Sequence, residues 1–108
     1  MLSKRNRVET KAVERIFKEG RFINSSILSF KFIIEKNSKQ PHISFIAPKN
    51  IVKLAVKRNL LRRRGYNIFK KYIKQIPSNI SGVFIFKKYQ DDILILENEI
   101  KDILTKIN

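Results

Sequence analysis

Residues 55–71 contain the side chains whose type and spacing are best suited to chemistry with a ligand. The stretch reads AVKRNLLRRRGYNIFKK and holds seven Lys or Arg residues and no Asp or Glu. Like charges at this density repel each other, so a partner of opposite charge is expected to offset them. The Arg guanidinium matches phosphate oxygens with paired donors, and the Lys ammonium supplies a compact positive charge. The segment therefore predicts a polyanionic partner, with nucleic acid first and an anionic membrane surface second.

The sequence shows no grouping of acidic residues or histidines that could catalyse a reaction on such a partner. His42 is the only histidine, and Glu9, Glu14 and Glu19 recur every five residues, so they do not share one helical face. The chain has no cysteine and only three glycines, and it shows no phosphate-binding glycine loop and no metal-ligand spacing. A self-sufficient nuclease normally needs clustered carboxylates for Mg²⁺ or a pair of histidines. We therefore expect no catalytic residue and no metal site in the protein, and any catalysis should come from the partner.

Net charge and composition narrow the class of protein. The 108 residues carry a formal net charge of +15, and fourteen Lys and Arg but no acid lie between Glu35 and Asp91. A hydrophobic fraction of 43% predicts a folded chain, and the length predicts a single domain over 1–108. The charge favours nucleic acid as the ligand of that domain. We expect no signal peptide and no membrane span, which makes the cytoplasm the expected location. A basic surface kept for solubility alone is the weaker interpretation, because mixed charges serve solubility better.

The elements that must position the basic side chains follow from hydrophobic periodicity and turn residues. The pattern first predicts a helix over 9–19 and two strands, over 27–34 and 42–47, with a turn at 36–41 between them. It then predicts a long helix and a strand over 81–89. A last helix is predicted over 91–107, capped by Asp91 and Asp92. The order α-β-β-α-β-α predicts an α+β sandwich, with helices on one face of a sheet and around its edge. The other face could then remain open for a ligand.

The long helix is predicted to be amphipathic and about twenty residues long. A helical wheel places its apolar residues on one arc and the basic residues on the opposite arc; the apolar set is Leu61, Ile68, Phe69, Tyr72 and Ile76. Gly65 falls on the apolar arc, where it costs about 1 kcal/mol of helix propensity relative to Ala. Either a close approach between helix and sheet requires this glycine, or it is a tolerated weak point.

The stretch AVKRNLLRRRGYNIF resembles the signature of the bacterial ribonuclease P protein subunit, in which Arg-Asn is followed by alternating basic and aliphatic residues on one long helix. The matching residues are Ala55, Val56, Arg58, Asn59, Arg62 and Arg63. The likeness covers nearly the whole chain, through KRNRVETKAVERIFKEGR, HISFIAPK and SGVFIFKK. The sequence departs from the family at Val13, where an aromatic is frequent, at Leu60 and Tyr66, where basic residues are common, and within 48–54.

The resemblance implies a fold and a function. The implied fold is α+β, a two-layer α/β sandwich with a mixed sheet of about four strands and the long basic helix in a left-handed β-α-β crossover. The implied function is that of an endoribonuclease subunit, active only as a holoenzyme with a catalytic RNA that holds the Mg²⁺ ions and removes the 5′ leader of precursor tRNA. The implied partners are this RNA and precursor tRNA, with no membrane and no obligate protein partner.

The resemblance also implies roles for individual residues. Contacts to the RNA subunit are expected from Lys57, Arg58, Asn59, Arg62 and Arg63 on the signature helix. The single-stranded leader is expected in a cleft between the first helix and the sheet, against Phe17, Lys31 and Phe32. Lys31 alternates with Phe30 and Phe32 along its strand, so it is expected to face the cleft while neighbouring phenylalanines fill the core.

Two alternative functions are compatible with a basic chain of this size. A ribosomal or other structural RNA-binding protein would use the same Arg and Lys chemistry, but the order of elements argues against it. A DNA-binding module could place a basic helix in the major groove, but no helix-turn-helix spacing precedes the helix and its neighbours are strands. RNA recognised through its backbone and shape fits the pattern better.

Overall fold

The computed structural model describes residues 10–35 and 39–107, and within them it contains three α-helices and a four-stranded sheet. The elements are α1 (Thr10–Glu19), β1 (Arg21–Asn24), β2 (Leu28–Ile34), β3 (His42–Ile46), α2 (Ala55–Tyr72), a 3-10 turn (Ile73–Gln75), β4 (Ile80–Phe86) and α3 (Ile93–Thr105). The α+β class and the mixed sheet are therefore confirmed. The N-terminal Arg-Asn-Arg stretch, Glu9 at the predicted helix start and part of the turn predicted at 36–41 lie outside the described residues.

The structure differs from the sequence prediction at β1, at the C-terminal end of α2 and at the ends of β4 and α3. Strand β4 ends at Phe86 instead of at 89, and α3 spans Ile93–Thr105 instead of 91–107. Strand β1 was not predicted, because its four residues are too short for an alternation and only Ile23 packs toward the main core. Helix α2 ends at Tyr72, and the backbone tightens into the 3-10 turn before Pro77. Proline disfavours helical backbone at the preceding residue, and 3-10 turns are common at helix ends.

The sheet brings β3 and β4 together as parallel neighbours. The strand order is β1-β2-β4-β3, in which β2 is antiparallel to β1 and β4, and β3 is parallel to β4. The connection from β3 to β4 runs through α2, so the basic helix lies in a β-α-β crossover, as predicted. The left-handedness of that crossover stays a prediction.

The two faces of the sheet are covered by different helices. The face that carries the main core packs against α2 and α3, and we call it the α2 face. The opposite face, the α1 face, packs through Ile33 and Val83 against Ile16 of α1. Helix α1 therefore covers part of the face that was expected to remain open, and the rest of that face lies beside it.

A row of phenylalanine rings crosses the α2 face. Phe45, Phe84 and Phe30 are register partners on β3, β4 and β2. The Phe45 and Phe84 ring centroids are 4.8 Å apart, those of Phe84 and Phe30 are 4.3 Å apart, and Phe32 continues the row at 5.3 Å from Phe30. Offset ring pairs add to the free energy gained by burying the rings. These four phenylalanines are thus core residues.

Helix α2 lies directly on this row of rings. A Cβ atom at Gly65 would come within 2.6 Å of a ring carbon of Phe45, so the glycine is required by close helix–sheet approach. One residue later, the Tyr66 hydroxyl accepts a hydrogen bond from the Phe45 backbone N–H at 3.1 Å. Strand β3 is an edge strand, and this bond satisfies one of its outward N–H groups. The departure from the family at Tyr66 therefore has a structural role here.

Helix α3 closes the α2 face and is fixed at two points. The Asp92 side chain caps it by accepting from the backbone N–H groups of Leu94 and Ile95. Of the two predicted caps, Asp92 is confirmed, whereas Asp91 lies one residue before the cap position. The Glu99 carboxylate accepts hydrogen bonds from the Ser26 hydroxyl and the Ile27 N–H. Partial burial opposes ionisation of Glu99, but these bonds outweigh it and hold its pKa below the ordinary value. Along α3, Leu96, Ile100 and Ile103 are buried and Ile93 is half exposed.

None of the helices within the described residues is both long enough and apolar enough to cross a membrane.

We expect Gly65→Ala to lower the free energy of unfolding by about 1–3 kcal/mol, although alanine has the higher helix propensity. The added methyl group meets the ring of Phe45, which is buried and stacked on Phe84. Asn67→Ala, at an exposed position of the same helix, is the matched control and should change stability by less than about 1 kcal/mol. Urea unfolding measures both, and an unchanged or raised stability of Gly65→Ala would contradict the close approach.

Candidate nucleic-acid interface

The outward side of α2 presents a continuous set of donors to solvent. Asn59, Arg62, Arg63 and Lys70 are exposed there, and we call these four residues the outer face of α2. An Arg62 guanidinium N–H donates to the Asn59 side-chain oxygen, which orients both groups along the helix. This arrangement confirms the predicted amphipathic helix with a basic outer face. It offers Arg forks and an ammonium group to the phosphates of a nucleic-acid backbone.

Arg58 has a different environment from the outer face. Its Nη1 donates to the backbone carbonyls of Val52 and Lys53, at 3.0 and 2.7 Å. The first turn of α2 has no side-chain cap at Leu54 and no acidic residue. Arg58 therefore holds the segment that leads into the helix against the helix itself. The sequence predicted Arg58 only as an RNA contact, and the structure adds this anchoring role.

One flank of α2 is attached to the rest of the protein. The Lys57 ammonium lies 5.3 Å from the ring centroid of Tyr89, and an Arg64 N–H donates to the Asp91 carbonyl at 3.2 Å. Further along, the Lys71 ammonium pairs with the carboxylate of Glu97 at 3.2 Å. These contacts join α2 to the β4–α3 connection and to α3. Lys57, predicted as an RNA contact, thus lies on the flank rather than on the outer face, with its side chain still exposed.

A second surface lies on the α1 face of the sheet. Lys31 projects from β2 on this face, and its ammonium lies 4.8 Å from the ring centroid of Phe17 in α1. Phe17 is 42% exposed, so part of the residue is available to solvent. The structure thus brings together Phe17 and Lys31, as the sequence predicted, and we call this pair with its surroundings the aromatic–lysine surface.

Phe32 is not part of the aromatic–lysine surface. Its ring lies on the α2 face, next to Phe30, and only 4% of the residue is exposed. It borders a cleft with Arg15, Glu19 and Arg21, but its exposed area is too small for a base to stack on the ring. Placing Phe32 with Phe17 and Lys31 was therefore wrong, because alternate residues of a strand point to opposite faces.

The structure adds Phe22 to the aromatic–lysine surface. Phe22 lies on β1, directly opposite Lys31 in the strand register, and it is 64% exposed. Sequence reasoning missed Phe22, because β1 was not predicted and the side to which Phe22 points was unknown. The only available signal was the pair Phe22-Ile23 after Gly20, where Gly20 ends α1.

The described part of the chain holds no group of three His, Asp or Glu side chains that could bind a metal ion. Several of the carboxylates that are present already have partners in the protein: Asp92 caps α3, Glu99 accepts from Ser26, and Glu97 pairs with Lys71. The donor set of the described residues therefore does not fit a dedicated Mg²⁺ site.

Comparison with known proteins gives a consistent result. A family model described as Ribonuclease P matches residues 2–108. The ribonuclease P protein component of Pseudanabaena sp. (strain PCC 6903) is 26% identical over 113 residues, which cover 98% of this chain and 94% of that protein. A Staphylococcus aureus RNase P protein mutant with defective mRNA degradation activity has a TM-score of 0.85 at 20% identity, covering 96% of this chain and 89% of its own. The RNase P protein from Thermotoga maritima has a TM-score of 0.83 at 20% identity, covering 94% and 97%. These solved structures share the α+β fold described above.

Proposed function

Because this chain belongs to the ribonuclease P family and so serves as the protein component in tRNA 5′ processing, we propose that it binds the catalytic RNA and the 5′ leader of precursor tRNA and leaves cleavage to the RNA. The observation that carries the proposal is that the outer face of α2 and the aromatic–lysine surface lie on opposite sides of one sheet.

The outer face of α2 is the proposed contact to the RNA subunit. The helix that carries it is held in place, because Gly65 and Tyr66 pack it against β3 and because Arg58 is bonded to the segment before it. A row of Arg and Lys on one helix can neutralise several phosphates at once without ordering a loop, which reduces the entropy lost on binding. In this arrangement Arg62 and Arg63 contact RNA, and Lys57 and Arg58 orient the helix as well as adding charge.

The aromatic–lysine surface is the proposed contact to the leader. The leader is single-stranded, so its bases are free to stack on an aromatic ring while an ammonium group binds the adjacent phosphate. Phe17 and Lys31 supply one of each, and their separation of 4.8 Å lets both act on one nucleotide or on two neighbours. Mature tRNA lacks this segment, so the surface would favour substrate over product.

The catalytic step is proposed to belong to the RNA. The RNA subunit would hold the Mg²⁺ ions, and their chemistry there would be activation of water and stabilisation of developing negative charge. The protein's part is to bind and orient the RNA subunit and the leader. The proposed assembly needs the RNA, precursor tRNA and no second protein, and its proposed location is the cytoplasm.

We expect the purified protein, freed of RNA, to leave precursor tRNA intact at any Mg²⁺ concentration. Addition of the RNA that co-purifies with the protein should restore release of the 5′ leader, measured on a gel with 5′-labelled precursor. Metal-dependent cleavage by the RNA-free protein would refute catalysis by the RNA. If the reconstituted particle releases no leader, the proposed function itself is refuted.

We expect Arg58→Ala to affect the stability of the protein and Arg63→Ala to affect its affinity for RNA. Arg58→Ala removes two hydrogen bonds within the protein and should lower the free energy of unfolding by about 1–2 kcal/mol. Arg63→Ala should leave stability unchanged and reduce the slope of log affinity for the RNA subunit against log salt by about one unit. Lys106→Ala, beyond the end of α3, is the control for charge loss away from α2.

Urea unfolding and salt-dependent binding separate these two effects. A wild-type salt slope for Arg63→Ala would show that the outer face is not the RNA contact. If Arg58→Ala has the same free energy of unfolding as wild type, Arg58 does not anchor the segment before α2.

We expect Lys31→Ala to weaken binding of precursor tRNA by the reconstituted particle while affinity for mature tRNA and for the RNA subunit stays nearly unchanged. The reason is that Lys31 is proposed to bind a phosphate that only the precursor carries. Equilibrium binding of the two tRNAs at fixed salt measures the difference. Equal losses for both would identify Lys31 as a general electrostatic contact, and no loss would move the leader site elsewhere.

A further inference from the structure

We infer that Phe22 is a second base-stacking position, which extends the aromatic–lysine surface from α1 across β2 to the edge strand β1. Single-stranded RNA would then stack on two rings, Phe17 and Phe22, and Lys31 lies between these rings. The inference rests on the proposed function for its natural ligand, the leader, but it concerns a residue to which neither the sequence pattern nor the family resemblance gives a role.

The position of Phe22 follows from strand geometry. Ile23 packs against the main core on the α2 face, so its neighbour Phe22 points to the α1 face. In the register of β1 and β2, Phe22 is the direct partner of Lys31. Cβ atoms of direct antiparallel partners lie about 5 Å apart. The ring of Phe22 is therefore next to the stem of the lysine whose ammonium lies near Phe17.

Phe22 is accessible because α1 does not extend over the whole face. Helix α1 packs on β2 and β4 through Ile16, whereas β1 is the outer strand beyond β2. Phe22 is left 64% exposed, more than Phe17 at 42%. A single exposed apolar side chain is ordinary on a protein surface. Two exposed rings that adjoin the same lysine form a continuous surface, and that combination is what points to a ligand.

The residues around Phe22 favour a nucleic acid over an apolar partner. One step further along the same face, Asn24 of β1 is the register partner of Ser29 of β2. Asn24 is exposed and Ser29 is partly exposed, so an amide and a hydroxyl lie beside the ring. Such groups can hydrogen-bond the edge of an unpaired base that stacks on the ring, and Lys31 supplies the charge for a phosphate.

A fluorescence experiment tests stacking on the protein alone. The chain has no tryptophan, so Phe22→Trp creates a protein with one tryptophan, and Leu94→Trp, at a 70% exposed position on α3, is the matched control. Both are titrated with a single-stranded oligoribonucleotide. We expect saturable quenching for Phe22→Trp and none for Leu94→Trp. Absence of quenching at position 22, or equal quenching at both positions, would overturn the inference.

A second experiment uses the reconstituted particle and precursor tRNA. Phe22→Leu keeps an apolar side chain but removes the ring, and Phe22→Tyr keeps the ring. We expect Phe22→Leu to weaken precursor binding at least about fivefold, equivalent to about 1 kcal/mol for one stacked base, and Phe22→Tyr to bind like wild type. Abasic nucleotides in the leader should abolish the difference between wild type and Phe22→Leu.

The outcomes separate the inference from the proposed function. If the wild-type particle cleaves precursor tRNA and Phe22→Leu binds it as tightly as wild type, Phe22 is not a stacking position and the proposed function stands. If the wild-type particle does not cleave, the proposed function fails, and quenching of Phe22→Trp by the oligoribonucleotide still decides the inference. Thermal unfolding of Phe22→Leu should match wild type, because Phe22 lies outside both core clusters.

Discussion

The close contact between α2 and the row of phenylalanine rings is the constraint on which the rest of the structure depends. Phe45, Phe84 and Phe30 stack across three strands and form a flat apolar floor. Gly65 lets the α2 backbone approach that floor at a distance that any Cβ atom would prevent, and Tyr66 adds a hydrogen bond to the edge of β3. Because the helix is held this closely to the sheet, the position of its outer face is fixed in the free protein, before any ligand binds.

The dense positive charge of α2 is partly compensated within the protein. Arg58 and Arg64 donate to backbone carbonyls, Lys57 lies over an aromatic ring, and Lys71 pairs with a carboxylate. Each contact is weak at an exposed site, but together they tie one flank of the helix to its surroundings. The cations of the outer face lie on the other side. Cations that repel each other in the free protein are stabilised when they bind a polyanion. The paired cations on the flank therefore stabilise the fold, and the cations of the outer face favour binding of a polyanion.

The alternation of strand residues decides which aromatic rings fill the core and which face solvent. Phe30 and Phe32 lie on the α2 face and are buried, whereas Lys31 between them and Phe22 opposite it lie on the α1 face. A shift of β2 by one residue against β4 would move Lys31 to the α2 face and Phe30 and Phe32 to the α1 face, and it would bury the lysine. Burial of Phe30 and Phe32 in the core therefore also decides which side chains lie on the opposite face of the sheet.

The amino-acid sequence by itself determined the class of partner, the order of the main elements and the basic outer face of α2, because these depend on charge content and on local periodicity. The same local signals predicted the Asp92 cap and the opposite orientation of Lys31 and its phenylalanine neighbours. Tertiary structure decided the position of β1, the burial of Phe32, the anchoring of Arg58 and the exposure of Phe22. Each of these depends on which strand pairs with which, in what register, and on which segment a side chain reaches across space. Hydrophobic periodicity contains no information about such pairings, because it reports only how residues alternate along one element.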